Sequence, residues 1–382
     1  MNIGLNAIGF VPGRMGGVES YFRNLLFNLQ RVDKSDNFII LCNRIYAKEF
    51  NFFNPSFRLE SYNYSQPSLP WLLRGGLKNI MGFDPLAPRI NRLHLDVVHH
   101  PFTVLDPMHL KTPSVLTFWD MQQDFFPEYF TSWQLYIRGK TYKKSAELAK
   151  RIIVSSIFTK NCLVEHYGID GNKIDVIYIG YGQNYKIISD ASILDLVKNK
   201  YSLGAPFLFY PAAAWPHKNH RNLLSAFKIL LGVQGFDGKL VLTGVPVAGT
   251  ADLSSTIRRL GLQEHVRSLG CVPSEELPAL YNLARMMVFP SLFEGFGIPI
   301  IEAMACGCPV ACSNATSLPE IVRDHGILFD PNSPPDMAEK IWAAWNDETL
   351  LENFRNKGME RVREFDWATA AEKTVAVYRM AL

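Results

Sequence analysis

Short, uniformly apolar runs alternate with amphipathic stretches along the whole chain, and this alternation constrains the fold more than any other feature. Each run has about five residues and lacks the polar alternation of a half-exposed strand, so we predict strands that are covered on both faces. The clearest runs are 38–41, 97–100, 114–118, 151–155, 207–210, 239–244, 286–290 and 309–313. Helices between successive strands make those strands parallel, so the pattern predicts α/β domains on doubly wound parallel sheets.

The length of the chain allows more than one such domain. It has 382 residues, whereas a domain commonly has roughly 100–200. The runs fall into two series, and the stretches 180–184 and 187–200 between them are the predicted connecting region. We therefore predict two Rossmann-like domains that face each other, residues 1–185 and 186–365.

Charge and hydropathy exclude several classes of protein. The net charge is +3, from 39 basic and 36 acidic side chains, which argues against a dedicated nucleic-acid binder. No apolar run approaches the roughly 18–20 residues of a membrane-spanning helix. The first five residues are typical of a strand and lack the layout of a signal peptide. We expect a cytoplasmic protein that binds no nucleic acid.

The six cysteines do not predict a metal centre. Cys306, Cys308 and Cys312 lie close together, but their spacing lacks the paired Cys-x-x-Cys hooks of zinc sites. We predict that they pack in the core, and that the three isolated cysteines are also buried. The isolated residues are Cys42, Cys162 and Cys271.

Two segments of the first half place apolar residues beside cations. Residues 131–160 contain seven Lys or Arg and a single acid, Glu147. In residues 67–92 the apolar residues are Trp71, Leu72, Leu73, Leu77, Ile80, Met81 and Phe83, and the cations are Arg74, Lys78, Arg89 and Arg92. Three interpretations stay open: a solvated basic face with an ordinary core helix, peripheral contact with the inner face of an anionic membrane, or an RNA-binding face.

The segment 289–307 is the most informative for function. A strand leads into a loop that contains Gly295 and Gly297, and Pro299 suits the first turn of the helix that follows. The two glycines let the backbone approach a ligand closely. The helix N-terminus then offers partial positive charge to an anion. We predict a ligand-binding loop here.

Two carboxylates accompany this loop. Glu294 lies within it, and Glu302 lies one turn into the helix, so both can face the same end of the sheet. A carboxylate that accepts hydrogen bonds from paired hydroxyls is a common way to hold a ribose. The segment therefore favours a nucleotide-bearing ligand.

Two further loops follow predicted strands. Lys218 lies near the start of a helix, where a mobile cation suits diphosphate oxygens. Gly16 and Gly17 open a helix directly after the first strand. No Gly-Lys-Ser/Thr follows them, which excludes the phosphate loop of a nucleotide hydrolase. The three-glycine dinucleotide fingerprint is also missing, which disfavours a nicotinamide oxidoreductase.

Taken together, three motifs resemble family 4 of the retaining glycosyltransferases. They are Gly-Gly-Val-Glu at 16–19, Pro-His-Lys-Asn at 216–219 and Glu-Gly-Phe-Gly-Ile-Pro at 294–299, with seven residues between Glu294 and Glu302. The resemblance covers nearly the whole chain. It implies the GT-B fold, with the donor nucleotide-sugar on the second domain and the acceptor on the first. It also implies a last helical segment, 366–382, that returns to the first domain.

The resemblance also implies roles for individual residues. Glu302 would bind the ribose, Glu294 would contact the transferred sugar, and Lys218 would bind the diphosphate. The other matched positions are Gly295, Phe296, Gly297 and Ile298 on the donor side, the backbone at Cys271 and Val272 beside the base, and Gly16 and Gly17 on the acceptor side.

The chain departs from the family at a second cation. Members often carry an arginine six residues before the lysine, and Ala212 stands there in this sequence. Arg221, His217 and Arg14 are the candidates to replace that charge.

The histidines of the first domain also differ from the family pattern. Members usually present a histidine towards the reacting sugar, and His100 matches it better than His99. A second common histidine is Trp119 here, followed by Asp120, which stays a candidate on the acceptor side.

The predicted reaction is therefore transfer of a sugar with retention, by front-face displacement. The chain has no Asp-x-Asp motif, so we expect neither an essential metal nor a cofactor besides the nucleotide-sugar. A glycan or polyprenyl-linked acceptor in bacterial surface polysaccharide synthesis, such as O-antigen, is the preferred setting. GDP-mannose is preferred over uridine and deoxythymidine sugars. A sugar-nucleotide epimerase and a non-catalytic nucleotide-sugar-binding protein remain the alternatives.

Overall fold

The structure is a computed structural model that describes residues 1–64, 68–80, 83–244 and 253–382. These residues form two compact units. The first contains Met1–Ile179 and Asp366–Leu382, and the second contains Gly180–Phe365. The last segment of the chain is thus part of the first unit.

Strands and helices alternate through both units. The strands are β1 (Asn2–Ala7), β2 (Asn37–Asn43), β3 (Phe57–Tyr62), β4 (Val97–His100), β5 (Ser114–Thr117), β6 (Arg151–Val154), β7 (Ile174–Val176), β8 (Phe207–Pro211), β9 (Lys239–Thr243), β10 (Val266–Ser268), β11 (Met286–Phe289), β12 (Val310–Ser313) and β13 (Ile327–Phe329). The helices are α1 (Gly17–Val32), α2 (Leu69–Ile80), α3 (Leu86–Asn91), α4 (Gln122–Phe125), α5 (Ser132–Leu148), α6 (Ile157–Tyr167), α7 (Ala191–Lys200), α8 (His220–Leu231), α9 (Leu253–Leu260), α10 (Leu277–Leu283), α11 (Ile298–Ala305), α12 (Leu318–Val322), α13 (Pro334–Trp345), α14 (Glu348–Arg361) and α15 (Trp367–Met380).

Each unit is built on one parallel sheet within the described residues. The order is β3-β2-β1-β4-β5-β6-β7 in the first unit and β10-β9-β8-β11-β12-β13 in the second. The direction of winding reverses between β1 and β4 and again between β8 and β11. Ligands bind beyond the carboxyl ends of strands at such reversals, because the two loops there diverge to opposite faces of the sheet. The predicted α/β fold class is confirmed.

The strands lie in the core, as their uniformly apolar sequences require. All the residues of β4, β5, β11 and β12 are buried. Helix α15 packs against α1, and the Tyr378 hydroxyl lies 2.8 Å from Nδ1 of the buried His99 on β4. These contacts explain why the end of the chain belongs to the first unit.

The predicted connecting region is mostly structured as part of the second unit. Residues 191–200 form α7, which packs against α10. The preceding segment is held by Asn282, whose Oδ1 accepts from the Ile188 amide at 2.9 Å and whose Nδ2 donates to the Lys186 carbonyl at 2.9 Å. Tertiary contacts, which composition does not reveal, therefore assign this segment to the second unit.

The cysteine predictions are confirmed except at one position. Five cysteines are buried and free, namely Cys42, Cys162, Cys306, Cys308 and Cys312. Cys271 is exposed. It follows Gly270, whose φ is +67°, in the loop after the edge strand β10. The apolar run that suggested burial extends beyond the end of the strand, so Cys271 lies outside the sheet.

Arg74 is not among the exposed cations of the segment 67–92. Its guanidinium is buried and bound by two carboxylates, Asp84 (2.9 and 2.7 Å) and Asp106 (2.6 Å). These ion pairs hold it inside the unit, where it cannot contact lipid headgroups. The side chains of Trp71, Leu72, Lys78 and Ile80, and residue Met81, lie outside the described residues. In the described part of the chain no helix is long and apolar enough to cross a membrane.

Candidate active site at the second sheet

A lysine and a glutamate meet where the winding of the second sheet reverses. Lys218 ends the 3₁₀ turn Pro216–Lys218 after β8, and Glu294 lies in the loop after β11. The Lys218 Nζ donates to Glu294 Oε1 at 2.5 Å, and the two side chains are only 17% and 14% exposed. The ammonium also lies 5.3 Å from the centroid of the Phe289 ring. The tertiary structure thus joins two residues that are 76 positions apart.

Asn219 connects the loop that carries Lys218 to the loop that carries Glu294. Its backbone is left-handed, with φ +59°, and its buried side-chain amide donates to the carbonyls of Pro290 (3.0 Å) and Pro331 (2.8 Å). The Tyr210 hydroxyl donates to the Lys218 carbonyl at 2.7 Å. Helix α8 begins next, so its positive N-terminal end lies beside the lysine. The Lys218 ammonium and the N-terminus of α8 thus offer positive charge to an anion at the same place.

The glycine loop owes its shape to Gly297 and Ser317. Gly297 has a φ of +108°, and a Cβ added there would come 2.8 Å from Leu318 Cδ2, so a side chain is excluded. The Ser317 hydroxyl lies 2.9 Å from the Glu294 carbonyl and 3.1 Å from the Phe296 carbonyl. The Phe296 ring is buried against Phe365, with the ring centroids 5.8 Å apart. Phe296 therefore presents backbone rather than side chain to a ligand.

The sequence analysis missed Thr316 and Ser317. Both follow β12, the neighbour of β11, and Thr316 Oγ1 accepts from the Glu294 amide at 3.1 Å. Thr316 has a φ of +55°, a conformation that is costly for a β-branched residue and typical of functional sites. The mostly polar stretch 314–317 after a buried strand was the available signal.

Glu302 lies on α11 and is bound by two tyrosines. The Tyr281 hydroxyl donates to Glu302 Oε2 at 3.2 Å, and the Tyr185 hydroxyl lies near enough to this carboxylate to lower its pKa. Burial raises the pKa of Glu302 to about 7, and the two hydroxyl donors oppose that rise. The ionised form of this carboxylate has lone-pair positions left to accept from hydroxyl groups of a ligand.

The remaining donor-side candidates are arranged around this corner. Ile298 is the first residue of α11. Val272 is buried in the loop after β10, which β9 separates from β8. Burial lowers the pKa of His217 to about 4, so its ring is neutral at pH 7 and supplies no second positive charge. Arg221, the second residue of α8, is exposed and remains the cation candidate of this unit.

The two histidines of β4 in the first unit have different environments. Both ring nitrogens of His99 are occupied, by Tyr378 and by Thr117 at 2.7 Å. His100 Nδ1 accepts from the Asp106 amide at 3.3 Å and faces the Asn6 amide at 3.1 Å, so its Nε2 carries the proton. That Nε2 is buried and has no partner among the described residues. Burial lowers the pKa of His100 to about 4, so the ring is a neutral donor.

The other first-unit candidates also lie beyond the carboxyl ends of strands. Gly16, with φ +54°, caps α1 after β1, and Gly17 is the first residue of that helix. Asp120 follows β5 and accepts from the Gln122 amide at 3.2 Å. Trp119 donates to the Pro101 carbonyl at 2.9 Å, so it serves to hold the loop after β4. Among the described residues no His, Cys, Asp and Glu cluster is suited to hold a metal.

Comparisons with known proteins identify the family of this chain. Residues 15–181 match the family described as Glycosyltransferase Family 4, and residues 195–361 match Glycosyl transferases group 1. The chain is 31% identical over 290 residues to the O-antigen chain mannosyltransferase B of Escherichia coli, a match that covers 76% of each chain. It is also 29% identical over 232 residues to the serotype-specific mannosyltransferase WbdA of Escherichia coli, covering 60% of this chain and 28% of that longer protein.

A solved structure shows the same architecture. Anabaena HepE, crystallised with UDP and glucose, superposes with a TM-score of 0.75 over 99% of both chains at 19% identity. At that identity the likeness concerns the fold alone. Because the family match extends over both units and the fold agrees, this chain belongs to the family 4 glycosyltransferases of the GT-B fold.

Proposed function

We propose that this glycosyltransferase transfers mannose from GDP-mannose, with retention, to a hydroxyl of a glycan or polyprenyl-linked acceptor in surface polysaccharide synthesis. The observation that carries the proposal is the ion pair of Lys218 and Glu294 at the reversal point of the second sheet. The relatives named as O-antigen and serotype-specific mannosyltransferases support mannose and the O-antigen setting.

The residues of the second unit have separate roles in the reaction. The bond between the anomeric carbon and the diphosphate oxygen breaks, and a bond to the acceptor oxygen forms on the same face of the sugar. Lys218 and the N-terminus of α8 stabilise the charge of the departing diphosphate. Glu294 accepts from hydroxyls of the sugar, and Glu302 accepts from those of the ribose. The acceptor proton passes to the departing phosphate, so the protein needs no strong base.

The first unit supplies the acceptor side in this proposal. His100 offers its Nε2–H, which has no partner in the described parts of the chain, as a hydrogen-bond donor to the reacting sugar or acceptor. Gly16 and Gly17 give backbone access near the start of α1, and Asp120 supplies a carboxylate at the next strand but one. No step of this scheme requires a divalent metal.

A donor screen followed by a transfer assay tests the proposal. We expect GDP-mannose to raise the melting temperature of the purified chain more than UDP-glucose or dTDP-sugars, because ligands stabilise the folded state by mass action. With octyl mannoside as acceptor, GDP should be released and NMR should show the α-linkage of the donor in the product. Addition of EDTA should leave the rate unchanged.

Other outcomes of this assay would overturn parts of the proposal. A β-linked product would exclude retention, and loss of activity in EDTA would exclude a metal-free reaction. Conversion of GDP-mannose to another sugar-nucleotide without acceptor would identify an epimerase. Donor binding with no turnover on any mannose-terminated acceptor would identify a non-catalytic binding protein.

Helix α5 supports peripheral contact with an anionic membrane. Trp133, Tyr136 and Ile137 are 69%, 57% and 37% exposed, although large apolar side chains usually lie inside. Lys140 and Lys144 lie on the same side of the helix, closer to its C-terminal end, and are also exposed. We call these five residues the α5 stripe. Apolar anchors beside lysines match the interface of a bilayer that carries anionic lipid.

Vesicle co-sedimentation tests the α5 stripe. We expect the chain to bind vesicles that contain phosphatidylglycerol and to bind phosphatidylcholine vesicles weakly, with binding reduced by salt. Trp133→Ala with Lys140→Ala should reduce binding at least several-fold, since each lysine contributes roughly 1 kcal/mol near an anionic surface. Ile45→Ala, which removes another exposed apolar residue of the first unit, is the matched control. Equal binding by both variants would exclude this contact.

A further inference from the structure

Two tyrosines hold the carboxylate of Glu302 from different parts of the second unit. Tyr281 comes from α10 and is buried, and Tyr185 comes from the segment before α7 and is partly buried. The Tyr281 hydroxyl donates to Glu302 Oε2 at 3.2 Å, and the Tyr185 hydroxyl also favours the ionised form of this carboxylate. The two rings meet edge to face, with centroids 6.0 Å apart. A carboxylate has about four lone-pair positions, so two donors leave two positions for other hydroxyls.

The segment that carries Tyr185 is fastened in place. The Tyr185 amide donates to the Gly182 carbonyl at 2.9 Å, which closes a turn. Beyond it, Ile187 packs against Gly307 at the end of α11, with 3.3 Å between its Cγ1 and a Cβ built on that glycine. Asn282 of α10 then binds the backbone on both sides of Ile187. The segment that carries Tyr185 is thus hydrogen-bonded to α10 close to this residue.

We propose that Tyr185 and Tyr281 are positioning residues, whose hydroxyls hold the Glu302 carboxylate so that its remaining lone pairs accept from the paired hydroxyls of the donor ribose. This inference rests on the proposed role of Glu302 in binding a nucleotide-sugar. A ribose presents two adjacent hydroxyls at a fixed separation, so a carboxylate of fixed orientation binds it with little loss of side-chain freedom.

The same two hydroxyls determine how much of Glu302 is ionised. The titratable groups that face it are Tyr185, Tyr281 and, on its own helix, Cys306. Burial raises the pKa of each of these three groups, so all are neutral at pH 7. Burial also raises the pKa of Glu302 to about 7, and the two donors counteract that effect. Loss of either donor should therefore raise the pKa further and deplete the ionised form at neutral pH.

A pH series of GDP binding by calorimetry tests the inference. One hydrogen bond to a carboxylate is equivalent to about one pKa unit, so Tyr185→Phe should lower the ionised fraction at pH 7 from about half to about a tenth. We expect GDP to bind the Tyr185→Phe and Tyr281→Phe variants about five-fold more weakly at pH 7. The loss should disappear near pH 9, where the carboxylate is ionised in either case. In the transfer assay KM for the donor should rise while kcat stays within about two-fold.

Matched variants separate this inference from the proposed function. Tyr201→Phe removes another hydroxyl that donates to a glutamate of the same unit, Glu276 at 2.5 Å, and should leave GDP binding unchanged at every pH. Glu302→Gln should weaken GDP binding without pH dependence, and a further Tyr185→Phe change in that background should then add nothing. Unchanged binding in Glu302→Gln would overturn the ribose role itself. The positioning role alone would be overturned if Glu302→Gln weakened GDP binding but the tyrosine variants bound GDP normally. It would also be overturned if the tyrosine variants lost GDP affinity equally at every pH.

Discussion

A Glu294→Ala variant is expected to transfer sugar about 10²–10³-fold more slowly than the unchanged chain, which is the usual cost of removing one preorganised polar contact to the reacting group. The residue lies at the reversal point of the second sheet, with its carboxylate on Lys218 and its amide on Thr316. Its loss removes the acceptor for the sugar hydroxyls and leaves the loop glycines in place. GDP release with GDP-mannose and octyl mannoside measures the effect.

The fold should survive this change. The loop around Glu294 is held by its backbone, through Ser317 and Thr316, so the side chain is not what shapes it. Glu276→Ala is the matched control, because it breaks another lysine–glutamate pair of the same unit, with Lys200 at 2.6 Å. That variant should keep full activity. Full activity in Glu294→Ala with a normal melting temperature would remove this residue from the site.

A Lys218→Ala variant is expected to bind GDP about 10–100-fold more weakly, since a hydrogen bond from a charged group contributes about 1.5–3 kcal/mol. The loss should exceed that of a surface lysine, because the ammonium is 17% exposed and lies beside the N-terminus of α8. Removing it also leaves Glu294 without its counter-charge close to the diphosphate, and repulsion between those negative charges adds to the effect. Isothermal titration with GDP measures it.

Guanosine separates phosphate binding from a general loss of the site. Ligand-observed NMR should show equal guanosine binding by Lys218→Ala and the unchanged chain, because the nucleoside carries no phosphate. Lys218→Arg should restore part of the GDP affinity, since it keeps the charge but changes the donor geometry. Equal losses for GDP and guanosine would show that the loop has collapsed and that the lysine does not act on phosphate.

The fold and the central residues of the site could be predicted because they follow from local pattern. A short apolar run with both faces buried is a parallel strand, and the loop after such a strand lies at a known edge of its sheet. The glycines and the proline that follow Glu294, and the turn before α8, can likewise be recognised from the local sequence. Their positions in the sequence therefore already indicated that Lys218 and Glu294 lie at the same edge of the second sheet.

Several residues were interpreted wrongly because their surroundings come from distant parts of the chain. The sequence suggested that Arg74 is a surface cation, whereas in the structure Asp84 and Asp106 bind it. His217 reads as a positive charge, yet burial keeps its ring neutral at pH 7. Charge and burial at these positions depend on neighbours that sequence spacing does not specify.

The sequence by itself determined the order of strands and helices, the two-unit plan and the residue types available at each strand end, because these depend on hydrophobic period and on backbone chemistry. The tertiary structure decided which side chains meet. It placed Thr316 on the Glu294 amide and Tyr281 on the Glu302 carboxylate, and it left His100 Nε2 without a hydrogen-bond partner among the described residues, whereas both ring nitrogens of His99 are bound. Hydrogen bonds of this kind act over about 3 Å between residues far apart in the chain, so their partners exist only after the core has packed.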